Sequence, residues 1–104
     1  MNDVFEGVVI DPGHGGVDSG ARGRNNELEK DYTLLISKYM YDRFRELGVP
    51  VYLTRDSDVT LNPTDRVNEV LSFFGNNPNV IVISNHLNAG GAEGQSVTNI
   101  KYNN

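Results

Sequence analysis

Two histidines are present in the chain, and each directly follows an apolar, β-branched run. His14 follows Val8-Val9-Ile10-Asp11-Pro12-Gly13, and His86 follows Val80-Ile81-Val82-Ile83-Ser84-Asn85. If the runs are neighbouring parallel strands, their carboxyl ends share one rim of a sheet, where α/β folds bind ligands. Neutral imidazole is a common zinc ligand, and a catalytic zinc takes three protein ligands and keeps a fourth position open. With no third histidine and no cysteine in the chain, a carboxylate is the expected third ligand. Glu27, Glu29 and Asp31 cluster where a helix should begin near the same rim. Acids favour helix N-termini through the dipole, which accounts for at least one of the three. Glu29 is the best ligand candidate: one residue past Leu28, on a stripe that fixes the buried face, it can point toward the rim. Glu27 and Asp31 are the alternatives.

Taken singly, His14 reads equally well as a bystander in a glycine-rich turn, and His86 as a hydrogen-bonded residue at a sheet edge. Their equivalent places after two strands favour the metal. A phosphate-cradling loop is the competing reading of Gly13 to Gly20. The segment matches neither dinucleotide nor Walker pattern, contains no lysine, and is not directly followed by a helix.

The elements that must position these residues read as follows. Residues 4–10 form a first strand, and a loop rich in glycine follows. Asn25 or Asn26 is placed to cap a helix carrying Leu28, Tyr32, Leu35, Ile36, Tyr39, Met40, Phe44 and Leu47 at helical spacing, closed by Gly48. On that spacing Tyr32, Tyr39 and Tyr41 read as packing rather than as a sugar platform. Residues 49–54 form a second strand. Asn62 caps a second helix with Pro63 at its first position, a buried stripe of Val67, Val70, Leu71 and Phe74, and Gly75 at its end. Residues 80–83 form a third strand whose lack of alternation predicts burial on both faces. Ala89-Gly90-Gly91-Ala92 reads as a flexible loop, and residues 96–102 as a last strand. This order predicts one α/β domain over residues 1–104, a mostly parallel sheet flanked by helices with right-handed crossovers.

A net charge of −5 argues against nucleic acid, which selects basic surfaces. Zero cysteines exclude disulfides and thiolate ligands. No apolar run is long enough to span a bilayer. Met1 does not open a signal-peptide pattern, so an exported protein would be a mature or excised segment or leave by another route.

Four separated segments carry a resemblance: Val8-Val9-Ile10-Asp11-Pro12-Gly13-His14-Gly15-Gly16, Leu28-Glu29-Lys30-Asp31, Leu53-Thr54-Arg55-Asp56 and Ser84-Asn85-His86-Leu87-Asn88-Ala89. In order and spacing they resemble the zinc-dependent N-acetylmuramoyl-L-alanine amidases often called amidase family 3. The resemblance implies a Zn2+ site of His14, Glu29 and His86, and peptidoglycan as the partner. It implies metal-assisted hydrolysis of the amide between N-acetylmuramic acid and L-alanine, outside the cell or in its wall, in growth, sporulation or phage lysis. The general-base glutamate of the family is expected beyond residue 104, so the domain reads as incomplete at its carboxyl end. Glu93, the only late acid, carries no family motif. An inactive module that binds zinc or cell wall is therefore the alternative. The uncovered last strand would offer an edge for self-association. Arg55 and Asn88 are candidate substrate contacts. Arg55 and Arg66 read more readily as pins between loop and helix through Asp56, Asp58 or Asp65.

Overall fold

The computed structural model describes residues 5–87 with side chains and residues 96–102 as backbone. Its elements are β1 (Gly7–Pro12), α1 (Glu29–Glu46), β2 (Val51–Leu53), α2 (Pro63–Phe74), β3 (Val80–Leu87) and β4 (Ser96–Tyr102). The sheet order is β2-β1-β3-β4. β1 pairs in parallel with β2 and with β3, and β4 runs antiparallel to β3. The expected α/β architecture is therefore present, with three parallel strands and one antiparallel strand.

β1 is buried along its whole length. Its Val8 and Ile10 face α1 and form the core with Val51 and Ile83, against Met40, Tyr41, Phe44, Val49, Leu53 and Ile81. Each such aliphatic side chain contributes roughly 1.5–3 kcal/mol by leaving water. On the other face, the Phe74 ring lies against Gly7, and Tyr52 stacks on Phe73 with ring centroids 4.5 Å apart.

Several boundaries differ from the sequence reading for physical reasons. β1 runs to Pro12 and β3 to Leu87. The β1–β3 ladder ends at Pro12↔Asn85, but β3 continues because His86 and Leu87 pair with Val97 and Ser96 of β4. His86 therefore sits inside a strand rather than after one. β3 is only partly buried, with Val80, Ile83 and Asn85 enclosed and its other residues half-exposed.

α1 is capped by Leu28 without a side-chain hydrogen bond, not by Asn25 or Asn26. Its fully buried residues are Glu29, Thr33 and Ser37. The apolar stripe is split: Met40 and Phe44 pack on the core, while Leu35 is 50% and Tyr39 69% exposed, and Tyr32 and Leu47 are exposed too. Of the three tyrosines, only Tyr41 packs on the core. Glu29 thus belongs to the buried face itself. A polar row wins the inward position because it satisfies buried groups at the strand ends: Thr33 Oγ1 donates to the Gly13 carbonyl at 2.7 Å, and Ser37 Oγ accepts from Asn85 Nδ2 at 2.9 Å.

α2 starts as read: Asn62 Oδ1 accepts from the Asp65 N–H at 2.7 Å and Pro63 is the first helical residue. Its stripe is not buried, however; Val67 and Leu71 are exposed and Val70 and Phe74 half-buried. With so little apolar anchoring, the cap matters. Asn62→Ala is expected to destabilise the chain by about 1 kcal/mol, read as a lower denaturant midpoint at unchanged slope.

Candidate metal centre

The parallel register brings the end of β1 beside the last residues of β3, and the first turn of α1 reaches the same rim. His14 lies two residues past β1, with φ 64°, a left-handed conformation uncommon outside glycine. The imidazole rings of His14 and His86 meet edge to face with centroids 5.1 Å apart. Glu29 lies between them. Its Oε2 is 3.0 Å from His14 Nε2 and 3.3 Å from His86 Nδ1. One ligand atom from each residue lies within 4.8 Å of the others, the one such three-residue group among the described residues.

Two of the three separations, 3.0 and 3.3 Å, fit a shared ion, and all three ligand atoms lie within 4.8 Å of one another. Donors about 2.0–2.1 Å from a tetrahedral zinc stand roughly 3.3 Å apart along each edge. Glu29 is 5% exposed, and its carboxylate is fixed on both oxygens: Oε1 accepts from the Ala21 N–H at 2.9 Å and Oε2 from the Leu87 N–H at 3.0 Å. Burial pushes the Glu29 carboxyl up, but these two N–H groups, then the fields of His14 and His86, outweigh it and hold it below the usual glutamate value. The group is thus an ionised acceptor facing two imidazoles.

Two glycines make the close approach feasible. A Cβ on Gly13 would stand 2.5 Å from His86 Cε1 and 2.6 Å from its Nδ1. A Cβ on Gly20, whose φ is +68°, would stand 2.6 Å from His14 Cδ2 and 2.7 Å from Glu29 Oε1. The glycines therefore serve as the floor on which the ligand side chains rest, a role the sequence reading, which saw only a sharp turn, did not anticipate.

Of the other acids in the first helix region, Glu27 turns back to its own loop, accepting from the Asn25 N–H at 3.0 Å, and Asp31 is exposed. Neither joins the group. Arg55 does not reach the solvent side of the site. It is 4% exposed, its Nη2 donating to the carbonyls of Gly13 and Lys30 and its Nη1 to that of Ser57. Burial, then the neighbouring charge of Arg66, lowers its pKa. It is a pin between the β1 loop, α1 and the loop after β2. So enclosed, Arg55 acts on the site through the Gly13 and Lys30 carbonyls. Arg66 is likewise a pin, but through Asp11, not through the nearby Asp56, Asp58 or Asp65: Nη1 donates to Asp11 Oδ1 at 2.6 Å and to the Pro12 carbonyl at 2.8 Å, and Nη2 to the His14 carbonyl at 3.1 Å. Asn88 and Glu93 lie outside the described residues.

The glycine loop is tied down from the far side. Asp58 accepts from the Gly16 N–H at 2.7 Å and from Lys30 Nζ at 2.8 Å, and Thr60 Oγ1 accepts from the Val17 N–H at 3.0 Å. Lys30, then the Gly16 N–H, holds the Asp58 carboxyl below the usual aspartate range. Sequence reasoning also missed Asp18. Its Oδ2 faces His14 Nδ1 at 2.9 Å, and the hydrogen bond from His14, then one from the Gly20 N–H, lowers its pKa. An acid four residues beyond a candidate ligand, in a loop that glycines fold back, was the available signal.

The family model described as N-acetylmuramoyl-L-alanine amidase matches residues 8–103. The amidase AmiA of Escherichia coli is 47% identical over 60 residues, covering 58% of this chain and 21% of that protein. The germination-specific N-acetylmuramoyl-L-alanine amidase of Bacillus subtilis is 35% identical over 92 residues, covering 79% and 38%. Among solved structures, the catalytic domain of CwlV, an N-acetylmuramoyl-L-alanine amidase from Bacillus (Paenibacillus) polymyxa var. colistinus, is similar at a TM-score of 0.72 and 30% identity, covering 86% of this chain and 49% of that one. The chain thus spans less than two-fifths of these two curated relatives and about half of the solved domain.

Proposed function

The chain belongs to the N-acetylmuramoyl-L-alanine amidase family, and on that premise we propose that it hydrolyses the amide between N-acetylmuramic acid and L-alanine in peptidoglycan, using a zinc ion held by His14, Glu29 and His86. The observation that carries this reading is the convergence of those three side chains on one point of the sheet rim. Two imidazole nitrogens and one carboxylate are a catalytic zinc donor set, which leaves a fourth position of the metal for water or substrate. A zinc ion there supplies Lewis-acid polarisation of the amide carbonyl and acidifies a water. The protein's own part is to fix the donors. Ala21 and Leu87 hold Glu29, Arg66 holds the His14 carbonyl, and Gly13 and Gly20 leave the rings room to converge. Asn88, two residues past His86, is the substrate contact this reading keeps. The expected setting is the cell wall, outside the membrane, and no described helix is long and apolar enough to cross one.

One observation favours a second reading, a module that binds zinc or cell wall without cutting. Proton transfer to the leaving amine needs an acid in reach. Of the described carboxylates beside the imidazoles, Glu29 is buried between them and Asp18 is engaged by His14 and Gly20. A single experiment separates the two: bound zinc and stem-peptide release from a muropeptide are measured on the same sample. The amidase reading expects about one zinc per chain and peptide release that a chelator stops. Zinc without release supports the binding module, and a chain that takes up no zinc overturns the amidase reading and leaves only a module that binds cell wall.

A further inference from the structure

Asp18 is absent from the three-residue ligand group, yet its carboxylate lies against one of those ligands. Its Oδ2 stands 2.9 Å from His14 Nδ1, the ring nitrogen opposite the one that faces Glu29 and His86. A carboxylate only accepts hydrogen bonds. The contact therefore holds a proton on Nδ1; with a metal ion taking the place of a proton between Nε2 and Glu29 Oε2, which stand 3.0 Å apart, Nε2 is left as the donor toward the metal point. Asp18 is itself held in place. Its backbone closes a two-way bridge with Gly15, N–H to carbonyl in both directions at 2.8 and 3.0 Å, and its Oδ1 accepts from the Gly20 N–H at 3.1 Å. The loop that carries it is anchored at Gly16 by Asp58 and at Val17 by Thr60. Although Asp18 is 60% exposed, its position is fixed by four hydrogen bonds, counting that with His14, and does not depend on burial.

We infer that Asp18 is a positioning residue: it orients His14 and fixes its Nδ1–H form, so that the Nε2 lone pair is presented to zinc. The inference rests on the zinc reading of the site and adds to it a residue outside the ligand set. Groups that hydrogen-bond the far nitrogen of a ligating histidine fix its tautomer and raise its basicity, and their loss weakens metal binding about 10–100-fold.

Asn and Ala at this position separate positioning from simple loop anchoring. An amide cannot accept from both the His14 Nδ1–H and the Gly20 N–H, because one of its two ends is an NH2 group. Asp18→Asn with its carbonyl kept on Gly20 preserves the anchor and opposes the ring proton. Asp18→Ala removes both contacts. Zinc affinity is measured by chelator competition, the Nδ1–H of His14 by 15N-histidine NMR of the zinc-loaded protein, and the fold by the melt of the metal-free protein. Both variants are expected to bind zinc about 10–100-fold more weakly, with the protected Nδ1–H signal lost and the metal-free melt of Asp18→Asn unchanged. Asn at wild-type affinity with only Ala weakened would overturn the inference and make Asp18 a loop anchor. With zinc on Nε2 the ring proton stays on Nδ1 in every form, so an Nδ1–H as well protected from exchange in both variants as in the wild type overturns it as well. If the wild type takes up no zinc, both the zinc reading and this inference fail. If it binds zinc and the variants match it, this inference alone fails.

Discussion

His14→Ala and His86→Ala are each expected to remove zinc from the purified chain, and Glu29→Ala to do the same. Each leaves two protein ligands where a catalytic zinc uses three. The loss should exceed the roughly 100-fold upper end seen when only a partner of a ligand is removed. It has a second readout in stability. Zinc at about 100 times its dissociation constant adds ~2.7 kcal/mol to the folded state, which in a domain of this size raises Tm by roughly 10–20 °C. The wild type should show that rise on zinc addition and lose it to a chelator, and the three variants should melt alike with and without zinc. Glu29 carries an extra consequence. It is buried, and its carboxylate satisfies the N–H groups of Ala21 and Leu87. Glu29→Ala therefore strands two donors, each costing about 1–3 kcal/mol when buried, and should melt below the metal-free wild type. Glu29→Gln keeps one acceptor and should fall between. Zinc retained by Glu29→Ala but lost by both histidine variants would move the third ligand to another acid.

Much of the fold was legible because its signals are local. Alternating strands and helices, Asn62-Pro63 at the start of α2 and Gly75 at its end follow from backbone chemistry within a few residues. The pairing of His14 with His86 was legible because parallel strands deliver their carboxyl ends to one rim. What failed was the facing of the helices. α1 has its apolar residues at helical spacing, but the polar row Glu29, Thr33 and Ser37 turns inward. No periodicity argument contains the reason, which lies in distant partners: the Gly13 carbonyl, Asn85 Nδ2 and the Leu87 N–H. The length of β3 was misjudged for a related reason, since His86 is held in the strand by Val97 of β4. The site's pins belong to the same class. Arg55 and Arg66 were visible as basic residues near acids, yet Arg55 serves carbonyls and Arg66 serves Asp11, 55 residues away.

Arg66→Met is expected to be the most destabilising single change outside the ligand set, costing about 3–5 kcal/mol. Asp11 is buried at the end of β1, and each of its oxygens is used. Oδ1 accepts from Thr54 Oγ1 at 2.7 Å and from Arg66, and Oδ2 accepts from Ser84 Oγ at 2.7 Å. The Arg66–Asp11 pair, 18% and 8% exposed at the side chains, is too enclosed for water to replace the guanidinium. Removing it leaves an enclosed carboxylate with two hydroxyls and only the more distant charge of Arg55. It also frees the carbonyls of Pro12 and His14 and leaves α2, which has no fully buried residue of its own, held by the ring contacts of Phe73 and Phe74. Against a total stability of about 5–15 kcal/mol for a typical domain, a loss of that size is a large share and brings a domain at the low end of the range close to its unfolding midpoint. The comparison that identifies the cause is Asp11→Asn combined with Arg66→Met. With the charge gone on both sides, nothing ionic is left stranded, and the double variant should be more stable than Arg66→Met alone, as found when buried pairs are replaced together. Denaturant unfolding of the four proteins gives the coupling directly. A cost below 1 kcal/mol for Arg66→Met would place the pair among solvent-screened surface bridges. Because Arg66 also holds the His14 carbonyl, the same variant should bind zinc more weakly even under conditions where it stays folded, tying the strength of the metal centre to an ion pair on the opposite face of the sheet from α1.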